Sequence, residues 1–233
     1  DMKLITAVLV VLALLLPIAV LLWLVQGVAY GFLTLLLHVA LMLLCVGRHD
    51  PLRGFGREFV SAWQRGDQAA AALVAEQQLG VVDSAPAGLL TQVRARMAAT
   101  CLQDYLVPAF WYLLVGPLGA LAYRLLELLR QQGTHAAVQP AGMLVHALEW
   151  IPARLMALSF ALVGQFESTL RTLRSLAAQW ELSAGELVAR CAAAALSTER
   201  GAEDIAVIDE QRQLLVRCIL SWAVIIAFLS LLV

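Results

Sequence analysis

The sequence predicts an all-α, polytopic helical membrane protein with about five apolar spans, some kinked or broken, and two cytoplasmic helical regions. The 233 residues are 61% hydrophobic and only 14% charged, whereas soluble domains have roughly 45–50% apolar and about 25% charged residues. The mean hydropathy is +0.81. No alternating pattern or Asn-Gly turn indicates a strand. The net charge of -1 would not attract nucleic acid. The high hydrophobic content instead predicts the lipid bilayer as a partner.

The first 46 residues predict a transmembrane hairpin. Leu4–Val25 and Val28–Val46 are apolar runs of about the 20 residues that cross a bilayer, joined by a turn at Gln26-Gly27. Pro17 should bend the first helix without ending it. His38 lies in the second span, either as a core histidine bonded to a neighbouring helix or as a proton-handling group.

Residues 47–104 predict a cytoplasmic helical region. Asp67 is a suitable N-cap for an alanine-rich helix over Gln68–Leu79. Ser84 followed by Pro86 predicts the start of another helix, which runs towards the third span.

Residues 105–164 predict the transmembrane core. The third span covers about Tyr105–Leu126, and the Gly116-Pro117 pair within it should kink or break the helix. The fourth span covers Met143–Val163. Because it contains Pro152 and charged residues, it should be broken, tilted or facing a wet cavity.

Residues 165–213 predict a second cytoplasmic helical region, and residues 214–233 a C-terminal transmembrane helix. Apolar residues from Phe166 to Trp180 recur at helical spacing, which predicts an amphipathic helix on the membrane surface or against the other polar region. Ser183 begins a capping box ahead of a helix that runs through Leu196.

The distribution of arginines predicts the orientation. The polar stretches 47–103 and 164–213 contain six and five arginines, whereas the link 127–142 contains one. Positive charge is retained on the cytoplasmic side. Five spans would then place the N-terminus in the cytoplasm and the C-terminus in the periplasm of a bacterial inner membrane.

Arg154 is the most informative charged residue in the core. A charge at membrane depth costs at least roughly 2.5–3.5 kcal/mol on insertion scales, so this guanidinium must be paired or hydrated. Glu149, Glu127 and Asp104 are its candidate partners. One interpretation is that Arg154 and a carboxylate lock two helices together.

The other interpretation is a ligand site. Arg124 and Arg154 would line a cavity open to the cytoplasm and hold a small anionic group through bidentate bonds. Tyr123 and Trp150 would pack around that ligand, or would belong to the aromatic belt at the headgroups. The candidate ligand-binding residues are Asp104, Tyr123, Arg124, Glu149, Trp150 and Arg154.

No catalytic or metal site is predicted from motifs. The chain has no phosphate-binding Gly-x-x-x-x-Gly-Lys, no Cys-x-x-Cys and no Gly-x-Ser-x-Gly sequence. His146 and Glu149 lie three residues apart on one helix face. As a metal site this pair would need ligands from elsewhere, so a structural hydrogen-bonding pair is the better interpretation.

Two runs carry a family resemblance. Pro108–Arg124, with its Pro-Ala-Phe-Trp start, and Trp150–Gly164 resemble the CobD/CbiB family of membrane proteins. That family includes adenosylcobinamide-phosphate synthase, which forms an amide bond at the expense of ATP. The pattern H-x-L-[DE]-W-[IV]-P-x-R-L at His146–Leu155 is similar to the divergent AmpE branch, whose members are inner-membrane proteins of Gram-negative bacteria.

The chain departs from the synthase branch at its acidic positions. Where that branch has Ala-Glu-Asn and then Asp-Gly, this chain has Ala98-Ala-Thr and then Gln103-Asp104. The acidic pair before Trp-Ile-Pro-Ala-Arg is replaced by Val145-His146. Such groups would position a nucleotide, its metal ion or an attacking amine. ATP–Mg²⁺ is therefore a cofactor that only the family resemblance implies.

The AmpE branch implies a regulator or sensor without synthase activity. It would act in the induction of β-lactamase through cell-wall (muropeptide) recycling, with the cytoplasmic anhydromuropeptide amidase AmpD as partner. One alternative is an ATP-dependent, amide-forming ligase of the cobinamide-phosphate synthase type. Another is a transporter or flippase for an anionic muropeptide, because broken helices beside charged groups are a feature of transporters.

Overall fold

The computed structural model describes residues 2–25, 31–46, 55–82, 86–132, 135–196 and 205–232. Within these ranges the chain is helical and contains no strand, as predicted. A π-helical stretch, Leu102–Leu106, joins two of the helices. The α-helices are α1 Met2–Val25, α2 Phe32–Cys45, α3 Phe55–Gln64, α4 Gln68–Leu79, α5 Pro86–Cys101, α6 Val107–Val115, α7 Pro117–Gln132, α8 His135–Val163, α9 Phe166–Leu176, α10 Ala184–Leu196 and α11 Ala206–Leu232.

The chain divides into two compact units. The first unit contains Asp1–Gly47 and Gln103–Pro152, and the second contains Arg48–Leu102 and Ala153–Val233. Each is therefore built from two separate stretches of sequence. In the second unit these stretches include both arginine-rich regions.

In the first unit, α1 and α2 both pack against α7. The shared core consists of Leu22, Leu41, Cys45, Ala120 and Leu121. Elsewhere α1 presents apolar side chains outwards, including Leu16 at 65% and Trp23 at 71% exposure. An exposed apolar surface of this length is suited to contact with lipid. The predicted turn at Gln26-Gly27 lies outside the described residues.

Two described helices are long and apolar enough to cross a membrane, Ile5–Val25 within α1 and Ala206–Phe228 within α11. The apolar helix α2 is shorter, at 14 residues. The predicted count of about five spans is therefore not confirmed. The predicted third span does not form one crossing helix, because α6 and α7 have nine and 16 residues, and about 20 are needed.

The break between α6 and α7 lies at Gly116, as predicted. Gly116 has φ of +81°, a conformation that glycine adopts without steric penalty, and Pro117 begins the next helix, where its missing N–H is harmless. The chain folds back here. A Cβ on Gly119 would lie 2.7 Å from the Trp111 carbonyl oxygen and 2.8 Å from the Val115 Cβ.

The predicted fourth span lies within α8, which continues through Pro152, so the alternative of a broken helix is wrong. Proline has no N–H to donate to the carbonyl four residues earlier, which is that of Leu148. Trp111 supplies the missing donor from α6: its Nε1 donates to the Leu148 oxygen at 3.1 Å. A tertiary hydrogen bond thus replaces the lost helical one.

In the second unit, α10 packs between α5 and α9, and α11 contacts α3, α5 and α10. Small residues allow these close approaches. A Cβ on Gly185 of α10 would lie 3.1 Å from the Ala99 Cβ of α5. The Trp222 indole donates to the Ser159 hydroxyl at 2.9 Å and joins α11 to the end of α8.

Two predicted N-caps of the second unit are confirmed, whereas the Glu186 side chain of the predicted capping box pairs with Arg190 instead. Asp67 caps α4 by accepting the Ala70 N–H at 2.9 Å, and Ser183 accepts the Glu186 N–H at 3.2 Å at the start of α10. The amphipathic helix is shorter than predicted. It ends at Leu176, so Trp180 lies beyond it, and α9 packs against α10 of its own region. Ser84 lies outside the described residues.

The hairpin at Gly116 makes a testable prediction about two helical glycines. Gly119→Ala should destabilise the protein by about 1–3 kcal/mol, because the new methyl group would overlap the backbone of α6. Gly142→Ala is the matched control, since a Cβ there would approach nothing closer than 4.0 Å. Thermal unfolding in detergent should show a lower Tm for the first variant and an unchanged or higher Tm for the second. Equal Tm values would contradict the fold-back.

Candidate functional site

The candidate residues of the first unit surround a buried carboxylate, that of Glu149 on α8. Its side chain is only 5% exposed. Its Oε1 accepts two hydrogen bonds, from the Tyr123 hydroxyl of α7 at 2.8 Å and from the Gln103 amide at 3.1 Å. Burying a carboxylate is costly unless it is hydrogen-bonded. These two donors therefore stabilise Glu149 in its buried position.

A second buried carboxylate, Glu127, lies one turn beyond Tyr123 on α7. Arg130 approaches it as a fork, with Nε at 2.7 Å from Oε2 and Nη2 at 2.5 Å from Oε1, and Gln131 donates at 2.7 Å. Burial acts to raise the pKa of Glu127. The hydrogen bonds and positive charge of Arg130 outweigh that effect, so the pKa lies below its ordinary value. Glu127 is thus held as the carboxylate.

Arg124 and Asp104 form an ion pair in the first unit, with Arg124 Nη1 3.3 Å from Asp104 Oδ1. Their side chains are 20% and 13% exposed. Asp104 and Gln103 both belong to the π-helical stretch between α5 and α6. Such local widening of a helix is frequent at functional sites, and here it supplies partners to both α7 and α8.

Arg154 lies in the second unit, whereas Arg124 lies in the first. Its guanidinium donates from Nε to the Ala177 carbonyl at 2.8 Å and from Nη2 to the Gln179 carbonyl at 3.3 Å. Those carbonyls follow the last turn of α9. Arginine at a helix C-terminus satisfies carbonyls that have no partner within the helix and interacts favourably with the helix dipole.

The remaining candidates are also placed. Trp150 follows Glu149 on α8 and is half-buried. His38 of α2 lies with its Nδ1 3.1 Å from the Tyr112 hydroxyl of α6, with the two rings edge to face. This contact supports the interpretation of His38 as a core histidine bonded to a neighbouring helix.

The structure therefore brings Tyr123 together with Glu149, and Arg124 together with Asp104. The sequence did not indicate the roles of Gln103, Arg130 and Gln131. Gln103 stands where a carboxylate would be expected from the resemblance, and it donates to the carboxylate of Glu149. A glutamine in this stretch carries no spacing signal in the sequence, so only the tertiary contact reveals its role.

Comparison with known proteins shows which family the chain resembles. A family model described as "Regulatory signalling modulator protein AmpE" matches residues 1–232. A relative named Protein AmpE, from Shigella flexneri, is 28% identical over 188 residues, which cover 75% of this chain. The match covers 66% of that relative, less than two thirds of its length. No solved structure matches the chain.

The buried carboxylate makes a prediction about two tyrosines. Tyr123→Phe should lower stability by about 1–3 kcal/mol, because it removes a donor from a buried acceptor. Tyr112→Phe is the matched comparison and should cost only about 0.5–1.5 kcal/mol, since its partner His38 is only partly buried. Denaturation in detergent compares them. A smaller loss for Tyr123→Phe would show that the Glu149 network is not a main stabilising contact.

Proposed function

Because the chain belongs to the AmpE family of regulatory signalling modulators, we propose that it acts at the bacterial inner membrane as a non-enzymatic modulator of β-lactamase induction. It would couple that induction to the recycling of cell-wall muropeptides. The observation that carries the proposal is the family match over residues 1–232. The two helices of membrane-spanning length support the placement.

The polar groups of the first unit support a role without synthase chemistry. Glu149, Glu127 and Asp104 each have a hydrogen-bonding or ionic partner within the protein. Carboxylates that are bonded to protein groups stabilise helix packing, whereas carboxylates of a synthase site would bind a metal ion or face a nucleotide. We propose that the relationship to the CobD/CbiB synthases is one of fold and motifs without the reaction, because Gln103 and Val145-His146 replace acidic positions of the synthase branch.

The proposed signal is a small anionic ligand that acts on the two core arginines. A guanidinium has five N–H donors, so Arg124 can stay paired with Asp104 and still bind an anion. Tyr123, Glu149 and Trp150 belong to the same two sequence motifs and are the other proposed residues of this site. Arg154 would bind the same class of ligand, and because it donates to a carbonyl at the end of α9, binding would affect the position of α9. Ligand binding at these arginines would then alter the packing of the helices in the arginine-rich regions. The cytoplasmic amidase AmpD is the proposed protein partner that binds these regions.

A genetic experiment tests this function. In a host whose own copy is deleted, the chain should change β-lactamase induction by a β-lactam several-fold, and Arg124→Ala and Arg154→Ala should reduce that change. Arg171→Ala is the matched control, because Arg171 is exposed and forms an ion pair with Glu167, one turn away on α9. Induction that is the same with and without the chain would contradict the proposed function. Normal induction with folded Arg124 and Arg154 variants would contradict the proposed ligand site.

We propose the five crossings and the cytoplasmic N-terminus that the sequence predicts. Because α6 and α7 fold back at Gly116, the alternative is a hairpin that enters and leaves the membrane on the same side, and introduced cysteines distinguish the two topologies. The native cysteines are all buried, so they should react slowly with a membrane-impermeant maleimide. Gln132→Cys and Glu181→Cys introduce thiols at exposed positions. Gln132→Cys should be labelled in spheroplasts, and Glu181→Cys only after the inner membrane is permeabilised. Labelling of both from the same side would contradict the topology.

A further inference from the structure

A cavity of about 760 Å³ lies within the second unit, between α5, α10 and the first turns of α11. This volume falls in the range of 300–1,000 Å³ that is typical of small-molecule sites. Small side chains leave the space open: Ala95 on α5 and Ala189 on α10 face it. None of the candidate residues predicted from the sequence lines this cavity.

Two buried hydrogen-bond donors of the cavity wall have no protein partner among the described residues. Gln211 of α11 is only 1% exposed, and its Nε2 makes no hydrogen bond there. The Nε of Arg94 on α5 is likewise buried without a bond in the described part of the chain. An unsatisfied buried donor is costly, so two such donors on residues of the cavity wall would be stabilised by a ligand with acceptor atoms.

The charge of the wall indicates which kind of acceptor. Three arginines line the cavity, Arg94, Arg96 and Arg190, against one acidic residue, Glu186. Glu186 is already paired with Arg190 one turn along α10, and Arg96 Nε donates to the Leu79 carbonyl at 3.0 Å. Even with Glu210, whose negative charge acts on Arg94, the arginines outnumber the carboxylates, so the wall keeps an excess of positive charge.

Arg94 is the arginine best placed to use that charge. Burial lowers its pKa, and the negative charge of nearby Glu210 opposes this shift. A guanidinium remains protonated in proteins in either case. It therefore offers a charged donor fork to the cavity in addition to its unbonded Nε.

We propose that this cavity binds a small molecule through an oxyanion group, a carboxylate or a phosphate, with Arg94 and Gln211 as its donors. Arginine matches both groups because its N–H fork can bond two oxygens at once, and the Gln211 amide adds a neutral donor. The alanine-lined remainder of the cavity accommodates the uncharged body of the ligand. This site is separate from the core arginines of the proposed function and does not depend on it.

Binding is measured with the purified full-length chain in detergent, by thermal shift and titration calorimetry. The probes are inorganic phosphate, AMP and the dipeptide Ala-Glu, with chloride at matched ionic strength as the reference. A molecule that binds only the folded state raises its Tm. At least one oxyanion should raise the Tm above chloride. A larger effect of phosphate and AMP would identify a phosphoryl ligand, and a larger effect of Ala-Glu would identify a carboxylate ligand.

Two pairs of variants locate the binding. Arg94→Met and Gln211→Leu should each weaken it by at least about tenfold, since each removes a donor to the anion. Arg171→Met and Gln213→Leu are the controls; Gln213 is exposed on the same helix as Gln211 and bonds to Asp209. They should bind as the unaltered chain does.

The unliganded variants separate a ligand site from a structural one. Gln211→Leu should leave the Tm of the free protein unchanged or raise it, because it removes an unbonded amide from a buried position. The proposal is overturned if no oxyanion raises the Tm above chloride. It is also overturned if Arg94→Met and Gln211→Leu bind with unchanged affinity.

Discussion

The hydrogen bonds to the buried carboxylate of Glu149 determine how the first unit is assembled. One donor, Tyr123, belongs to α7, and the other, Gln103, belongs to the π-helical stretch before α6. The carboxylate itself belongs to α8. Three separate stretches must therefore be in register for the charge to be satisfied, and any slip would leave a buried acceptor unpaired at a cost of about 1–3 kcal/mol or more. This requirement therefore favours the one register of the three stretches in which both donors reach Glu149.

The prolines of this region have two different effects on the helices that contain them. Gly116 and Pro117 end α6 and begin α7, so that two short helices fold against each other. Pro152, by contrast, removes a backbone hydrogen bond and leaves α8 continuous, because Trp111 donates to the freed Leu148 carbonyl. At Pro152 the Trp111 indole thus satisfies the carbonyl that proline leaves without its helical donor. The family motif around Trp150 and Pro152 thus depends on an aromatic residue of the other motif.

The sequence predicted best what depends on neighbouring residues. The caps at Asp67 and Ser183 and the break at Gly116 rest on local rules, and the structure confirms them. Predictions that depend on distant partners were less successful. The Leu148 carbonyl is satisfied by Trp111 of α6, and Arg154 bonds to the end of α9; no spacing in the sequence indicates either contact. The cavity donors Arg94 and Gln211 are 117 positions apart, so only the packing of α5 against α11 could reveal them.

The central claim is that Glu149 and its donors act as one unit, and a double-mutant cycle tests it most directly. Tyr123→Phe, Glu149→Gln and the double variant would be compared by denaturant unfolding in detergent. Residues in one buried hydrogen-bonded network show coupling energies of about 0.5–3 kcal/mol. We predict a coupling of at least about 1 kcal/mol, since the acceptor and its donor are both buried. Losses that add within about 0.3–0.5 kcal/mol would contradict the account.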